Sequence, residues 1–431
     1  MNVEQAQAAR AVHAVFGGTT LRAALAAVDD GKPLRGRTLV AELTYGTLRH
    51  WGTLDAIARR LADKPLADPL LAALLCVALY QIAHTRAPPF AIVDRAVDAA
   101  AALSRPAAKR WINALLRRYL REREALEAAV ATDAVARWSH PRWWIARVKA
   151  DHPDRWREIL AAGNTRPPLT LRANLRVAAR DALVARFGAA GVDAVAAGDQ
   201  GIIVTHPVAV EALPGYDEGA FAVQDLGAQV AAPLLQPADG LRVLDACAAP
   251  GGKATHLLEL ADVELTALDS DASRLARIRE NAVRLKMTDR RVTVASGDAA
   301  VPGSWWDGRP WDRILADVPC SASGIVRRHP DVKWLRRAGD VAALCAEQDR
   351  VLDGLWPTLA PGGLMLYATC SVFVAENEAR VAAFCARHAD ALRESITFPA
   401  QALHADGQLL PSPEGAGHNQ DGFFYALLRK A

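Results

Sequence analysis

The chain has 431 residues, 51% of them hydrophobic and 23% charged, with a formal net charge of +3. That is apolar material for two or three buried cores, and it excludes a largely disordered chain. The six cysteines, at 76, 247, 320, 345, 370 and 385, form no C-x-x-C pair, which argues against a zinc knuckle and a secreted disulfide framework and fits a reducing cytoplasm. No metal is expected.

The first ten residues, MNVEQAQAAR, lack the basic-then-apolar order of a signal peptide, so none is expected. Residues 1–137 are rich in Ala, Leu and Arg, with apolar residues at helical spacing, as at Leu39, Leu43 and Leu48 and at Trp111, Leu115 and Tyr119. Pro65, Pro69, Pro88, Pro89 and Pro106 fall between these stretches, where helices start and stop. The longest apolar run, Leu70 to Tyr80, is too short to span a bilayer and reads as a buried helix. An all-α bundle is predicted here, and no membrane association.

Residues 1–140 carry 19 Lys and Arg against 13 Asp and Glu, which leaves 32 against 35 for the remainder. A basic N-terminal third attracts a polyanion or is simply a solvated helical surface. Arg110, Arg117, Arg118, Arg121 and Arg123 cluster on one late helix. Residues 138–220 read as a linker and small α+β insert, with helices at Pro141–Ala150 and Pro153–Ala162 and strands at Leu169–Asn174, Gly201–Val204 and Val208–Glu211.

Residues 221–431 alternate regularly. Strands are expected at Arg242–Asp245, Leu265–Leu268, Val292–Ala295, Arg313–Ala316, Leu364–Ala368 and Gly422–Arg429. Helices are expected after the first strand to Leu260, and over Ala272–Leu285, Val341–Leu359 and Glu376–His388, the third closed by Pro361-Gly362-Gly363. This repetition implies a doubly wound, mostly parallel sheet with its ligands beyond the carboxyl ends of the strands. Lys253, Asp269, Asp298, Asp317, Cys320 and Cys370 all fall at those ends.

The turn DACAAPGGK, Asp245 to Lys253, resembles a P-loop but fails it twice: Cys247 replaces the first glycine, and Ala254 replaces the magnesium-binding hydroxyl. Pro250-Gly251-Gly252 still allows close backbone approach to a ligand. Asp269, about 20 residues on from the glycines, is placed to accept hydrogen bonds from ribose hydroxyls. Cys320 lies in DVPCSASG and Cys370 in YATCS, each at a strand end. A thiolate is a strong carbon nucleophile, but a free thiol needs activation at neutral pH. Cys76, Cys345 and Cys385 sit in apolar helical stretches and read as packing. A cysteine hydrolase would need a histidine base, and His329 is the only histidine near either motif.

DACAAPGGKATHL, DVPCSASGIVRRHPDVKW and YATCS closely resemble the cofactor, Pro-Cys and Thr-Cys motifs of RNA 5-methylcytosine methyltransferases. FAVQDLGAQVAAPLL and DGFFYALL look like flanking motifs of that family. In the helical part, ELTYGTLRH, PPFAIVDRAVDAA and INALLRRYLRE resemble the NusB-type RNA-binding domain. NTRPPLTLRAN is similar to the insert of the RsmB/Sun/Fmu family of bacterial 16S ribosomal RNA methyltransferases, which has this layout. The resemblance implies a NusB-like bundle, a small α+β insert and a Rossmann-like methyltransferase domain. It implies S-adenosylmethionine as cofactor, 16S ribosomal RNA as partner, a monomer, and methylation at carbon 5 of a cytosine of the cytosine-967 class. It also implies roles: Cys370 as nucleophile, Cys320 as the thiol that assists release, Asp317 at the cytosine ring edge, and Lys253 in support. Cofactor contacts are implied at Cys247, Ala248, Ala249, Pro250, Gly251, Gly252, Lys253, Asp269, Asp298 and Asp317. Arg327, Arg328 and Lys333, in the loop after Cys320, are placed for phosphate contacts or for ordinary solvent exposure.

Overall fold

In a computed structural model of the chain, residues 4–29, 31, 34–62, 65–206, 208–287, 290–396, 407–412 and 419–431 are described. They divide into two compact units. One holds the residues up to 165 together with 326–338; the other holds 166–325 and 339–431.

The first unit is helical. Its elements are α1 (Glu4–Phe16), α2 (Leu21–Val28), α3 (Leu34–Arg49), α4 (Trp51–Leu61), α5 (Pro69–His84), α6 (Pro89–Ala102), α7 (Lys109–Val130), α8 (Ala134–Trp138), α9 (Arg142–Asp151) and α10 (Trp156–Ala162). Pro69 and Pro89 act as helix starts, and Pro106 opens a 3-10 turn. Pro69 opens α5 behind Asp68, whose carboxylate accepts from the backbone N–H groups of Leu70 and Leu71. Helix α5 is apolar all round and forms the middle of the core, with Ala73 to Ile82 buried. No helix among the described residues is long and apolar enough to cross a membrane.

Residues 326–338 belong to this helical unit by packing. The Asp331 carboxylate accepts from Leu21 N at 2.9 Å, and Trp334 Nε1 donates to Leu48 O at 2.8 Å. Lys333 Nζ is fully buried and donates to Arg49 O and Asn164 Oδ1.

The second unit holds two sheets. The smaller is antiparallel in the order β2-β3-β1-β4, from β1 (Leu169–Ala173), β2 (Ala194–Ala197), β3 (Gly201–Val204) and β4 (Phe221–Val223), with α11 (Arg180–Ala189) beside it. The strand expected at Val208–Glu211 is not one; a 3-10 turn occupies Val210–Ala212. The insert takes its edge strand instead from Phe221–Val223, paired with Ala173 back to Leu171.

The larger sheet has the order β10-β12-β9-β8-β5-β6-β7, with β11 paired to β12. Its strands are β5 (Arg242–Asp245), β6 (Glu264–Asp269), β7 (Val292–Ser296), β8 (Trp311–Asp317), β9 (Leu359–Thr369), β10 (Ala391–Glu394), β11 (Gln408–Leu409) and β12 (Phe423–Lys430). Strands β5 to β9 are parallel to their neighbours, and β12 is antiparallel to β9. The main helices are α12 (Gly252–Leu260), α13 (Ala272–Arg284), α14 (Asp340–Leu355) and α15 (Glu378–Arg387). Helix α14 ends four residues before the predicted Leu359. Pro357 supplies no N–H for the α-helical ladder, so after Leu355 the chain, with Trp356 still helical at φ −54° and ψ −43°, tightens into a 3-10 turn. Pro361-Gly362-Gly363 lies within β9, where the pairing with β8 is irregular between Trp311 and Arg313. The order of connection switches sides at β5, with β6 and β7 laid down on one side and β8 and β9 on the other, so the carboxyl ends of β5 and β8 flank the crevice of the sheet.

Candidate active site

The glycine turn Asp245 to Lys253 follows β5. Gly251 has φ of +99°, and a Cβ there would stand 3.1 Å from Ile278 Cα of α13, so only glycine fits. The turn is stitched to its neighbours. Ala248 N donates to Leu268 O, and Ala249 N donates to Asp269 Oδ2 at 3.0 Å. The Ala249 and Pro250 carbonyls accept from Arg274 Nη2 and Asn281 Nδ2 of α13.

From below, Arg172 of β1 grips α12. It is fully buried and donates to both oxygens of Glu259, at 2.8 and 2.6 Å, to Gly252 O at 2.8 Å, and to Gln224 Oε1. A buried bidentate pair of this kind fixes an orientation that neither charge would hold alone.

Cys247, Ala249, Asp269, Asp298 and Asp317 line one cavity of about 220 Å³, together with Ser270, Arg274 and Glu347 among others. Ala248, Pro250, Gly251, Gly252 and Lys253 shape the turn without lining that cavity. Asp269 already accepts from Ala249 N and Asp271 N, but a carboxylate has about four acceptor sites and keeps capacity for hydroxyls. Asp298 is paired with Arg350 at 2.7 Å on the cavity rim, which lowers its pKa.

The two motif thiols meet. Cys320 Sγ lies 3.4 Å from Cys370 Sγ, although 50 residues separate them in sequence. Their meeting follows from the parallel pairing of β8 with β9, in which Asp317 is opposite Ala368. The hydrogen bond with Cys370 and burial push the Cys320 thiol well up, so Cys320 keeps its proton at neutral pH. Beside them Lys253 Nζ donates to Asp317 Oδ2 at 2.5 Å. Burial opposes the charge on Lys253, but the Asp317 carboxylate outweighs it and the pKa is raised. Under this pair lies Asp245, only 1% exposed and close to the Asp317 carboxylate. Burial, and then the neighbouring Asp317 charge, raise it to about 7.

All four expected catalytic residues therefore converge on the carboxyl ends of β5, β8 and β9. The basic loop after Cys320 is a correction. Arg327 is 1% exposed and Lys333 is fully buried, so neither faces solvent as a phosphate-binding side chain would. Lys333 serves the helical packing described above, and Arg328 is half-buried. Sequence reasoning also passed over Arg172, Glu259, Gln348 and Glu376. The contacts Arg172–Glu259, Ser321–Glu376 and Gln348–Glu376 span 87, 55 and 28 positions, and no local pattern marks them. Among the described residues no group of three or more His, Cys, Asp or Glu is arranged to hold a metal ion.

Comparison with known proteins agrees with this geometry domain by domain. The NusB family matches residues 3–121, the ferredoxin-like domain of RsmF/B-like methyltransferases matches 140–211, and the 16S rRNA methyltransferase RsmB/F family matches 232–429. The ribosomal RNA small subunit methyltransferase B of Pseudomonas putida is 44% identical over 430 residues, spanning 98% of this chain and 97% of that protein. Among solved structures, PH0851 superposes with a TM-score of 0.78 over 99% of both chains at 24% identity. NSun6 from Pyrococcus horikoshii with SFG superposes with a TM-score of 0.59 at 20% identity, over 67% of this chain and 98% of that one. These two likenesses speak for the fold. With a NusB-like helical domain, a ferredoxin-like insert and a methyltransferase sheet matched in order, and a relative of 44% identity along almost the whole length, the chain belongs to the RsmB/F family of 16S rRNA methyltransferases.

Proposed function

We propose that this enzyme methylates carbon 5 of a cytosine in 16S ribosomal RNA, of the cytosine-967 class, with S-adenosylmethionine as donor and a covalent Cys370–cytosine intermediate. The observation that carries the reading is the thiol pair, 3.4 Å apart, beside the Lys253–Asp317 pair and next to a carboxylate-lined cavity. Three aspartates around the cavity suit a cationic nucleoside with ribose hydroxyls. Bound there, S-adenosylmethionine supplies a methyl group on a sulfonium.

The residues have complementary work. Carbon 5 is a poor nucleophile within the aromatic ring. The Cys370 thiolate forms a bond to carbon 6, which breaks the conjugation and moves electron density onto carbon 5. Asp317, one oxygen held by Lys253, hydrogen-bonds the ring edge where charge develops. Once carbon 5 has taken the methyl group, a base removes the carbon-5 proton, the electron pair of that C–H bond re-forms the double bond, and the Cys370 sulfur leaves carbon 6 as a thiolate, a release that Cys320 assists. The target base must leave its stack to reach the site, which costs less in single-stranded or loop RNA. The reading puts the enzyme in the cytoplasm, where its RNA is.

Bisulfite sequencing of ribosomal RNA tests the substrate. In a strain lacking this gene, one cytosine of 16S RNA should become convertible. The wild-type gene should restore its protection, and Cys370→Ala should not. An unchanged 16S pattern in the deletion strain would contradict the proposal.

A further inference from the structure

One buried carboxylate touches both cysteine-bearing loops. Glu376 ends a 3-10 turn, Val374–Glu376, and has no exposed surface. Its Oε1 accepts from Ser321 N at 2.7 Å and from Gln348 Nε2 at 3.4 Å. Its Oε2 accepts from Ser321 Oγ at 2.6 Å and from Ser371 Oγ at 2.5 Å. Ser321 follows Cys320 directly, and Ser371 follows Cys370.

The surroundings hold this carboxylate in place. Tyr367 OH of β9 donates to Glu376 O at 2.5 Å. Gln348 of α14 also donates to Pro319 O, just before Cys320. Since Ser371 donates its hydroxyl proton to Glu376, Ser323 Oγ must donate to Ser371 Oγ at 2.8 Å, and it accepts from Val372 N. Gly324 N donates to Cys370 O at 2.9 Å. The result is a strap joining the two loops through the residue that follows each cysteine, reinforced through Ser323 and Gly324. Burying a carboxylate is costly, and a well-packed apolar group often serves stability as well. A carboxylate here does something that packing alone does not: it draws two loops toward one point.

We propose that Glu376 is a positioning residue for the thiol pair, fixing the loops of Cys320 and Cys370 so that both sulfurs reach one cytosine. This rests on the two-thiol reading above and names a residue that the reading does not include. The negative charge of Glu376 also adds to the causes that keep the Cys320 thiol protonated, after the Cys370 hydrogen bond and burial.

The test uses the full-length enzyme with Glu376→Gln, which keeps the side-chain volume but turns one acceptor into a donor facing two hydroxyls. Ser371→Ala removes one strap at milder risk to folding. Two readouts are needed: steady-state methylation of RNA, and the rate at which diamide, a two-electron oxidant, closes a Cys320–Cys370 disulfide. Glu376→Gln should lower kcat about 100-fold, as a displacement of about 1 Å at a reacting atom does, with KM for RNA and cofactor affinity nearly unchanged. Disulfide closure should slow as well, and Ser371→Ala should move both readouts the same way by less. A merely structural glutamate predicts a lower melting temperature with kcat and disulfide closure retained below it, and that result would overturn the proposal. If Glu376→Gln does not fold, unchanged kcat and closure in Ser371→Ala overturn it equally. Cys370→Ala is assayed in parallel. If that variant still methylates, the two-thiol reading fails, while the disulfide rate still decides whether Glu376 positions the sulfurs.

Discussion

Asp245 sets the electrostatic tone of the site at the scale of single residues. It is buried beside Asp317, and its pKa rises from 3.8 to about 7. An acid that is harder to ionise in the fold makes the native state hold more protons than the unfolded chain between those two values. Stability should therefore fall as pH rises from about 4 to about 7, by roughly 4 kcal/mol at the upper bound, and level off above. Asp245→Asn should lose this slope in denaturant titrations across that range, and an identical slope in the variant would remove Asp245 as its source. The residues proposed to carry the chemistry stand out in the sequence because each has a distinctive local frame: Cys320 after Pro319, Cys370 between Thr369 and Ser371, Lys253 behind two glycines. Glu376 and Arg172 do not, because their meaning lies in partners brought by the fold. Arg327 and Lys333 were misread for the same reason, since charge in a loop says nothing about what covers it.

At the scale of elements, the strand–helix alternation after Phe221 was legible because buried parallel strands are short apolar runs bounded by turn residues. β10 and β11 were missed; they are only four and two residues long and pair at the antiparallel edge. Pro361-Gly362-Gly363 looked like a helix stop but lies inside β9, after a helix that Pro357 had already ended. The link that matters most between elements is Arg172 of β1 to Glu259 of α12, because it anchors the helix that begins at the cofactor turn. Both side chains are essentially unexposed. Arg172→Met should cost about 3–5 kcal/mol in urea unfolding, since it strands a buried carboxylate. The double change with Glu259→Leu should recover much of that loss. A single-substitution cost near zero would show that the pair does not hold the turn.

For the whole molecule, the uneven charge was readable from composition, but the reach of the helical unit was not. Helices α8 to α10 and residues 326–338 pack with it, and only the fold brings them there. Not every arginine on α7 is available for a polyanion. Arg118 pairs with Glu122 and Arg123 with Glu127. Arg110, Arg117 and Arg121 are exposed and, at spacings of seven and four, share one helix face. If the helical unit supplies RNA affinity, changing these three to glutamine should weaken RNA binding and reduce the salt slope by about 0.7 for each phosphate no longer neutralised. The rate on saturating RNA should hold. Unchanged affinity at fixed salt would move RNA binding elsewhere.

The central claim is the division of labour between the two thiols, and covalent trapping tests it most directly. Labelled RNA, enzyme and S-adenosylmethionine are run on a denaturing gel. Cys370→Ala should give neither methylation nor a slow protein–RNA band, because no nucleophile remains to open the ring. Cys320→Ala should accumulate the band, because attack and methyl transfer proceed while release fails. A band that persists in Cys370→Ala and vanishes in Cys320→Ala would reverse the roles, and unchanged activity in both variants would contradict the account altogether.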